Sequence, residues 1–343
     1  MNDSLSSPPV TASELPDKHP LADYVRILAR GKNASRSMTR EEALFTMEQL
    51  LSDDCRPEQL GAILMLLRVK EETAEELAGF AAAIDQNWPQ DSINVDLVWP
   101  SYAGKRRQPF WCLLSALLLE QLGYKVLFHG SLAHTEGRVY LHEVFSQLGL
   151  TEFNTTADLL RQADRGMPAI SYLPCQALNP KLQDWLGLKA ILGVRSPINT
   201  VLKTIAPCGI PSVQGIFHPN YANIHVGAAE LNASDMLVIK GEGGEFEVNP
   251  ERTCQAQYHL NGTRGELVLP NEQSHYADKP AGISTQLLLD CWQGKLESEY
   301  AREAVIRTTA LALVAIRKQP EQLHTYLEES RQAWAQRDLS RLG

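Results

Sequence analysis

Residues 95–130 read VDLVWPSYAGKRRQPFWCLLSALLLEQLGYKVLFHG. An apolar run at 95–98 gives way to turn residues, then to Lys105, Arg106 and Arg107, and then to Pro109 ahead of a long apolar segment. A second apolar run, 125–128, closes the stretch. Strand, loop, helix and strand in that order are the units of a parallel sheet covered by helices. Proline suits the first turn of a helix, where the amide it lacks would have no partner. The helix dipole makes that end positive, so three cations before it are the wrong charge unless an anion stands between.

Outward from this stretch the pattern repeats. Short apolar runs at 169–172, 211–217 and 236–240 alternate with helical segments, and such sheets take ligands at the carboxyl ends of their strands. Upstream, 21–84 is helical, with Leu21, Val25 and Leu28, then Leu60, Ile63, Leu64 and Leu67, at three and four spacing. Ser52 or Asp53 is placed to cap the next helix, and Thr73 with Glu76 makes a capping box. Residues 178–206 read as helical again, which suggests a return of the chain to the helical unit. AREAVIRTTALALVAIRK, 301–318, reads as an amphipathic helix, and the Asn261-Gly262 pair in HLNGTRGEL as a hairpin turn. The expected fold is α/β: a small helical amino-terminal domain plus a larger α/β domain with a mostly parallel sheet covered by helices. The expected boundaries are a disordered tail over 1–19, a helical domain over 20–90 joined by 176–204, and an α/β domain over 91–175 and 205–343.

Composition narrows the class. At 343 residues and 44% hydrophobic content the chain can bury a real core, and a net charge of −9 excludes a surface coated in positive potential. It leaves room for a local basic groove. The six cysteines are scattered with no Cys-x-x-Cys pair, as expected of free thiols in a reducing cytoplasm. The first twenty residues lack the order of a signal peptide, and no apolar segment reaches the roughly 20 residues of a membrane span.

Several constellations bear on chemistry. Lys105, Arg106 and Arg107 precede a helix amino end, and Lys181, Lys189, Arg195 and Lys203 recur through the second helical stretch. The plain reading of both is a solvated surface; facing one another, they would make a groove for a phosphate backbone. Trp99, Tyr102, Phe110 and Trp111 flank the triplet as core residues or as a stacking platform. His129, His134 and His142 are too irregular for a metal site. KGEGGEFEVNP, 240–250, is an acidic turn or, with phosphates present, a Mg²⁺ ligand set of Glu242, Glu245 and Glu247.

LLRVKEETAEELAGF, 66–80, and LGVRSPINTVLKTIAP, 192–207, resemble segments of the anthranilate phosphoribosyltransferase family, and the resemblance covers about 21–318. The resemblance implies that family's fold. The family's glycine-rich diphosphate loop falls on 98–104, where Trp99, Pro100 and Tyr102 replace glycine or threonine. Its Lys-His-Gly-Asn-Arg motif falls on 128–132, leaving His129 and Gly130, and its substrate-side arginine on Lys189. Its metal-binding motif falls on 244–247, where Phe246 replaces a carboxylate and Glu247 stays in register. Ser101, Gly104 and Asn199 complete the residual pocket, and Arg195 and Asn199 match the family's pattern. This pattern resembles the TrpD-like paralogue branch associated with nucleic-acid binding. It implies a cytoplasmic homodimer that binds DNA or RNA, single- or double-stranded, through Lys105, Arg106, Arg107, Lys181, Lys189, Arg195 and Lys203, without a cofactor. The rival expectation is a phosphoribosyltransferase or nucleoside phosphorylase on an unusual substrate, using Arg195, Asn199, His129, Glu247 and Mg²⁺. A third is a binding module for a small phosphorylated metabolite.

Overall fold

The computed structural model describes residues 18–89 and 93–342. The expected disordered tail therefore lies, apart from Lys18 and His19, outside the described residues. Helices Ala22–Ala29, Arg40–Leu51, Pro57–Lys70 and Ala74–Asp85 form the amino-terminal helical unit. Thr39 with Glu42, and Thr73 with Glu76, close capping boxes that satisfy orphan amides at two of these helix starts. The expected cap at Ser52 or Asp53 does not form. Pro57 opens the next helix without a side-chain cap, and Ser52 instead ends the preceding helix by donating its amide to the Glu48 carbonyl.

Residues 178–206 form three short helices, Pro180–Gly187, Lys189–Leu192 and Ile198–Val201. Gly193, at φ 76°, ends the second in the left-handed region that favours glycine. Leu182, Trp185, Leu186, Ile198, Val201 and Leu202 bury their side chains in the same apolar cluster as Leu28, Met47, Leu64 and Phe80. Burial against those helices holds this return segment in place.

Eight strands make one sheet: β1 Leu97–Ser101, β2 Val126–Gly130, β3 Thr151–Glu152, β4 Ile170–Pro174, β5 Ser212–Ile216, β6 Met236–Lys240, β7 Cys254–Leu260 and β8 Thr263–Leu269. Their order is β3-β4-β2-β1-β5-β6-β7-β8. Pairing is parallel from β3 to β6 and antiparallel from β6 to β8. β1, β2, β4 and β5 are buried along their whole length, as expected of a sheet covered on both faces. Phe128 and Tyr172 point into the cluster built on helices Trp111–Gln121 and Glu299–Arg317, while Leu127 and Leu173 point into the cluster of the helical unit. The sheet thus lies between two cores.

β1 runs three residues past the expected apolar run and takes in Pro100. Val98 donates its amide to the Pro211 carbonyl next to β5, and Val98 to Ser212 is the one register pair between these strands. Two residues on, the missing Pro100 amide would face the same side, where the ladder has ended. A proline is tolerated there at no loss of a bond. The 301–318 segment also departs from expectation: within Glu299–Arg317, residues 303–315 are all buried, so the helix is enclosed and not amphipathic. The Asn261-Gly262 turn joins β7 to β8 as a hairpin, both residues at positive φ.

Candidate functional site

The loop from Ser101 to Phe110 connects β1 to helix Trp111–Gln121 at the carboxyl end of the sheet. Lys105, expected at a ligand, is 3% exposed and ion-paired to Glu247, with its Nζ also donating to the Pro109 carbonyl at 2.7 Å. The other Glu247 oxygen accepts the Cys112 amide at 3.2 Å, at the start of the helix. The amino end of this helix is therefore served by a carboxylate of the chain itself. Lys105 is there to neutralise it, and the expectation that Lys105 meets a polyanion is corrected. Pro109 lies before the cap residue Phe110, not in the first turn, and its role is that of an acceptor for Lys105.

Glu245 makes a second internal closure. Its Oε1 accepts the amides of Ala103 and Gly104, both at 2.8 Å, in a buried setting. A side chain at Gly241 would put its Cβ 1.5 Å from the Glu245 carbonyl oxygen, so the glycine lets the 241–247 segment lie tight against the sheet. Gly104, at φ 65°, turns the opposing loop, and a Cβ there would meet the Tyr140 ring at 3.0 Å. Arg138 donates to the carbonyls of Ala103 and Gly104 at 2.8 and 2.7 Å and fixes the loop from the other side.

The Mg²⁺ set envisaged for this acidic segment does not fit the side chains. Glu245 is engaged by two amides, Glu247 by Lys105 and the Cys112 amide, and Glu242 accepts from Asn249 at 2.8 Å. Phe246 is buried edge-on to Trp99 at 5.4 Å. Among the described residues no group of three or more metal-ligating side chains comes together. Burial pushes the Glu247 carboxyl up, against the pull of Lys105.

The stacking platform also dissolves: Trp99, Tyr102, Phe110 and Trp111 are all 1% exposed or less. Tyr102 instead meets His129, hydroxyl to Nδ1 at 2.8 Å, under the helical unit. Burial holds His129 neutral, with its pKa pushed down to about 3. Ser101 and Gly130 stand opposite one another at the ends of β1 and β2 and are buried.

What remains open is a cleft of about 170 Å³ between the helical unit and the sheet. Arg68, Arg195, Ser196, Asn199, Lys203 and Phe217 are among its lining residues. Arg195 and Lys203 were legible as candidates; Arg68 was not, although it stands inside the quoted 66–80 segment. Arg138 is likewise new, and its guanidinium is destabilised by burial and by Arg195 and Arg106 nearby. Burial, with Arg195 and Arg138 adding to it against Glu245, brings the Lys203 ammonium down to about 8. Lys203 donates to the Gly215 and Gly244 carbonyls at 2.6 and 2.8 Å. His134 falls to about 4, first through burial and then through Arg195 and Arg138. Three cations, Arg68, Arg195 and Lys203, thus line one cleft, with Arg138 near Arg195 and Lys203, and Arg106 near Arg138.

The remaining expected contacts divide. Arg106 and Arg107 are exposed on the loop, Arg106 donating to the Glu136 carbonyl at 3.3 Å. Lys189 is half-buried and does not line the cleft. Lys181 is corrected: its Nζ donates to the Leu51 and Ser52 carbonyls and lies 3.7 Å from Asp53, so it serves the carboxyl end of helix Arg40–Leu51. Among the described residues the side chains of Arg68, Arg107, Lys189 and Arg195 have no hydrogen bond or ion pair.

Residues 22–87 match the helical bundle domain of a glycosyl transferase family. The chain is 26% identical over 292 residues to the anthranilate phosphoribosyltransferase of Anaeromyxobacter sp. (strain Fw109-5), covering 81% of this chain and 85% of that one. The chain belongs to the anthranilate phosphoribosyltransferase family. Anthranilate phosphoribosyltransferase from Thermus thermophilus shares the fold, with a TM-score of 0.73 at 20% identity over 91% of this chain and 94% of that one. The uncharacterized protein YbiB of Escherichia coli (strain K12) is 29% identical over 272 residues, 72% of this chain and 83% of that one. The loop at the family's diphosphate motif offers amides that Glu245 already fills, and no described residue group holds Mg²⁺. No helix among the described residues is long and apolar enough to cross a membrane.

Proposed function

We propose that this chain binds the phosphate backbone of nucleic acid, with little sequence preference, in the cleft between the helical unit and the sheet. The observation that carries the reading is the set of Arg68, Arg195 and Lys203 lining the cleft, with Arg138 close to two of them, beside loop amides already occupied by Glu245. Clustered cations between low-dielectric walls focus potential and raise the local concentration of a polyanion, even on a chain whose net charge is −9. Phosphate contacts need several such cations and no catalytic apparatus. Arg107, exposed beside Arg106 on the same loop, has no side-chain partner among the described residues. Pairing of two copies through the helical unit would set two clefts on one long strand and raise avidity. The six free cysteines suit the reducing cytoplasm in which such a protein would work.

One observation favours a second reading: Arg195 and Asn199, which match the family's pattern, both line the cleft. Glycosyl or phosphoribosyl transfer to an unusual substrate would use them. Positive charge developing at an anomeric carbon needs a held phosphate or diphosphate, and the Glu245 closure weighs against that.

The experiment is fluorescence anisotropy of a labelled oligonucleotide of about 30 nucleotides, titrated at several salt concentrations. Arg195→Ala and the Arg106→Ala/Arg107→Ala double variant are expected to weaken binding and flatten the salt slope by about one unit per lost phosphate contact. Unchanged affinity and slope in both would move the site elsewhere. Incubation with phosphoribosyl pyrophosphate, Mg²⁺ and anthranilate is expected to give no turnover, and turnover would favour the second reading.

A further inference from the structure

Phe217 follows β5 directly and is 60% exposed, and it lines the same cleft as Arg68, Arg195 and Lys203. Among the described residues it is the one aromatic among the exposed large hydrophobic side chains. Phenylalanine carries a large apolar area that folding ordinarily buries, so its exposure beside three cations calls for an occupant with both an aromatic face and negative charge. The His218 ring packs edge-on to it at 4.9 Å and supports it. A second, independent observation concerns Ser196. The Ser196 hydroxyl is without a hydrogen-bond partner although the residue is only 6% exposed, and Ser196 lines the same cleft. A buried hydroxyl of this kind is stabilised by a polar group from a ligand.

We propose that Phe217 stacks on a base of single-stranded nucleic acid whose phosphates lie on Arg68 and Arg195, with the Ser196 hydroxyl meeting a polar edge of that nucleotide. This rests on the proposed function and sharpens it: the cleft selects single strands over duplex. A duplex keeps its base faces inside its own stack and presents only phosphates, so it reaches the arginines and not the ring unless a nucleotide is flipped out. Stacking on an aromatic side chain tolerates every base, because each has a π-face. The preference is therefore for strandedness and not for sequence.

The test compares three labelled probes of equal length, a mixed-sequence single strand, its duplex and an abasic strand with the same phosphates, against the full chain and Phe217→Ala. The intact chain should bind the single strand about tenfold more tightly than the abasic strand, the difference expected of one stacked base. Phe217→Ala should remove that difference while leaving duplex affinity and the salt slope unchanged, and Phe217→Tyr should restore it. Equal binding of abasic and intact strands by the unsubstituted chain, or a Phe217→Ala variant that keeps the preference, overturns the stacking site while leaving the polyanion cleft standing. If none of the three probes binds at low salt, the polyanion reading itself falls and the stacking site with it.

Discussion

The Oε1 atom of Glu245 lies 2.8 Å from the amide nitrogen of Gly104 and the same distance from that of Ala103. Two adjacent amides converging on one oxygen make the kind of concave donor site that elsewhere receives a phosphate. Here the anion is covalently part of the chain. Glu245→Ala should leave both amides without that acceptor and cost about 2–3 kcal/mol, a typical loss for hydrogen bonds to a charged group, measured by urea denaturation. Pyrophosphate in the millimolar range should raise the melting temperature of this variant by more than that of the unsubstituted chain. Equal responses would mean that Glu245 does not occupy an anion site.

The buried Lys105 and Glu247 pair yields a prediction of opposite character. Removing one partner strands a charge in a site of 3% exposure or less, so Lys105→Met or Glu247→Gln alone should each cost roughly 3–5 kcal/mol. Lys105→Met combined with Glu247→Leu should recover most of that loss, and its nucleic-acid affinity should match that of the unsubstituted chain. A drop in affinity with a flatter salt slope in the double variant would return Lys105 to the binding surface.

Lys203 predicts a pH dependence with two signs. Its neighbours in the cleft are Glu245, Arg195, Arg138 and the neutral His225. With the folded pKa at about 8, the ammonium is present below that pH and lost above it. Affinity for a polyanion should therefore fall between pH 7 and 9, and Lys203→Met should flatten the fall. The contribution of Lys203 to stability runs the other way. The unfolded chain binds the proton more tightly, so that contribution rises with pH from about 8 toward the ordinary lysine value of 10.5. Anisotropy and urea denaturation of the same pair of proteins, each followed against pH, would check both signs.

Two buried histidines, His129 and His225, and the half-buried His134 predict sensitivity to acid. Burial leads the lowering of His129 and His225 to about 3 and of His134 to about 4, from 6.5. Above pH 6.5 they are neutral in both states; as pH falls, the unfolded chain takes up protons that the folded chain refuses, and stability is lost. His129 and His225, neutral while folded, should each contribute about 1.4 kcal/mol of loss per pH unit below 6.5, and the partly exposed His134 less. His225→Gln, placed beside the Gln214 side chain that His225 now meets at 2.7 Å, should make the stability profile shallower between pH 6 and 5. An unchanged slope would show that His225 protonates freely in the fold.

The fold was legible because its signals are local and repetitive. Apolar runs of strand length alternating with helices marked β1, β2, β4, β5 and β6, and Thr73 with Glu76 marked a helix start that the structure keeps. The two-residue β3 has no such pattern to offer. The site was less legible for a physical reason. A cation in a sequence carries no label for its partner, and Glu247, 142 positions from Lys105, decides whether that cation faces a ligand or the interior. Lys181 was hidden in the same way, its partners being carbonyls at a helix end about 130 positions away. Arg195 and Asn199 were found because they sit in a segment whose whole pattern is distinctive. Phe217 was read only as the end of a strand, because periodicity cannot tell the last inward residue from the first one at a cleft.

The pairing of Lys105 with Glu247 also bears on how such a chain can change over generations. Neither residue is free to drift alone, since each single replacement leaves its counterpart as an isolated interior charge. Loss of Glu245 alone would reopen the two loop amides at a cost of about 2–3 kcal/mol, whereas the Lys105 and Glu247 pair can be left only through a single replacement that costs roughly 3–5 kcal/mol. The buried pair acts as a ratchet on its own two positions and leaves the cleft lining free to vary around it.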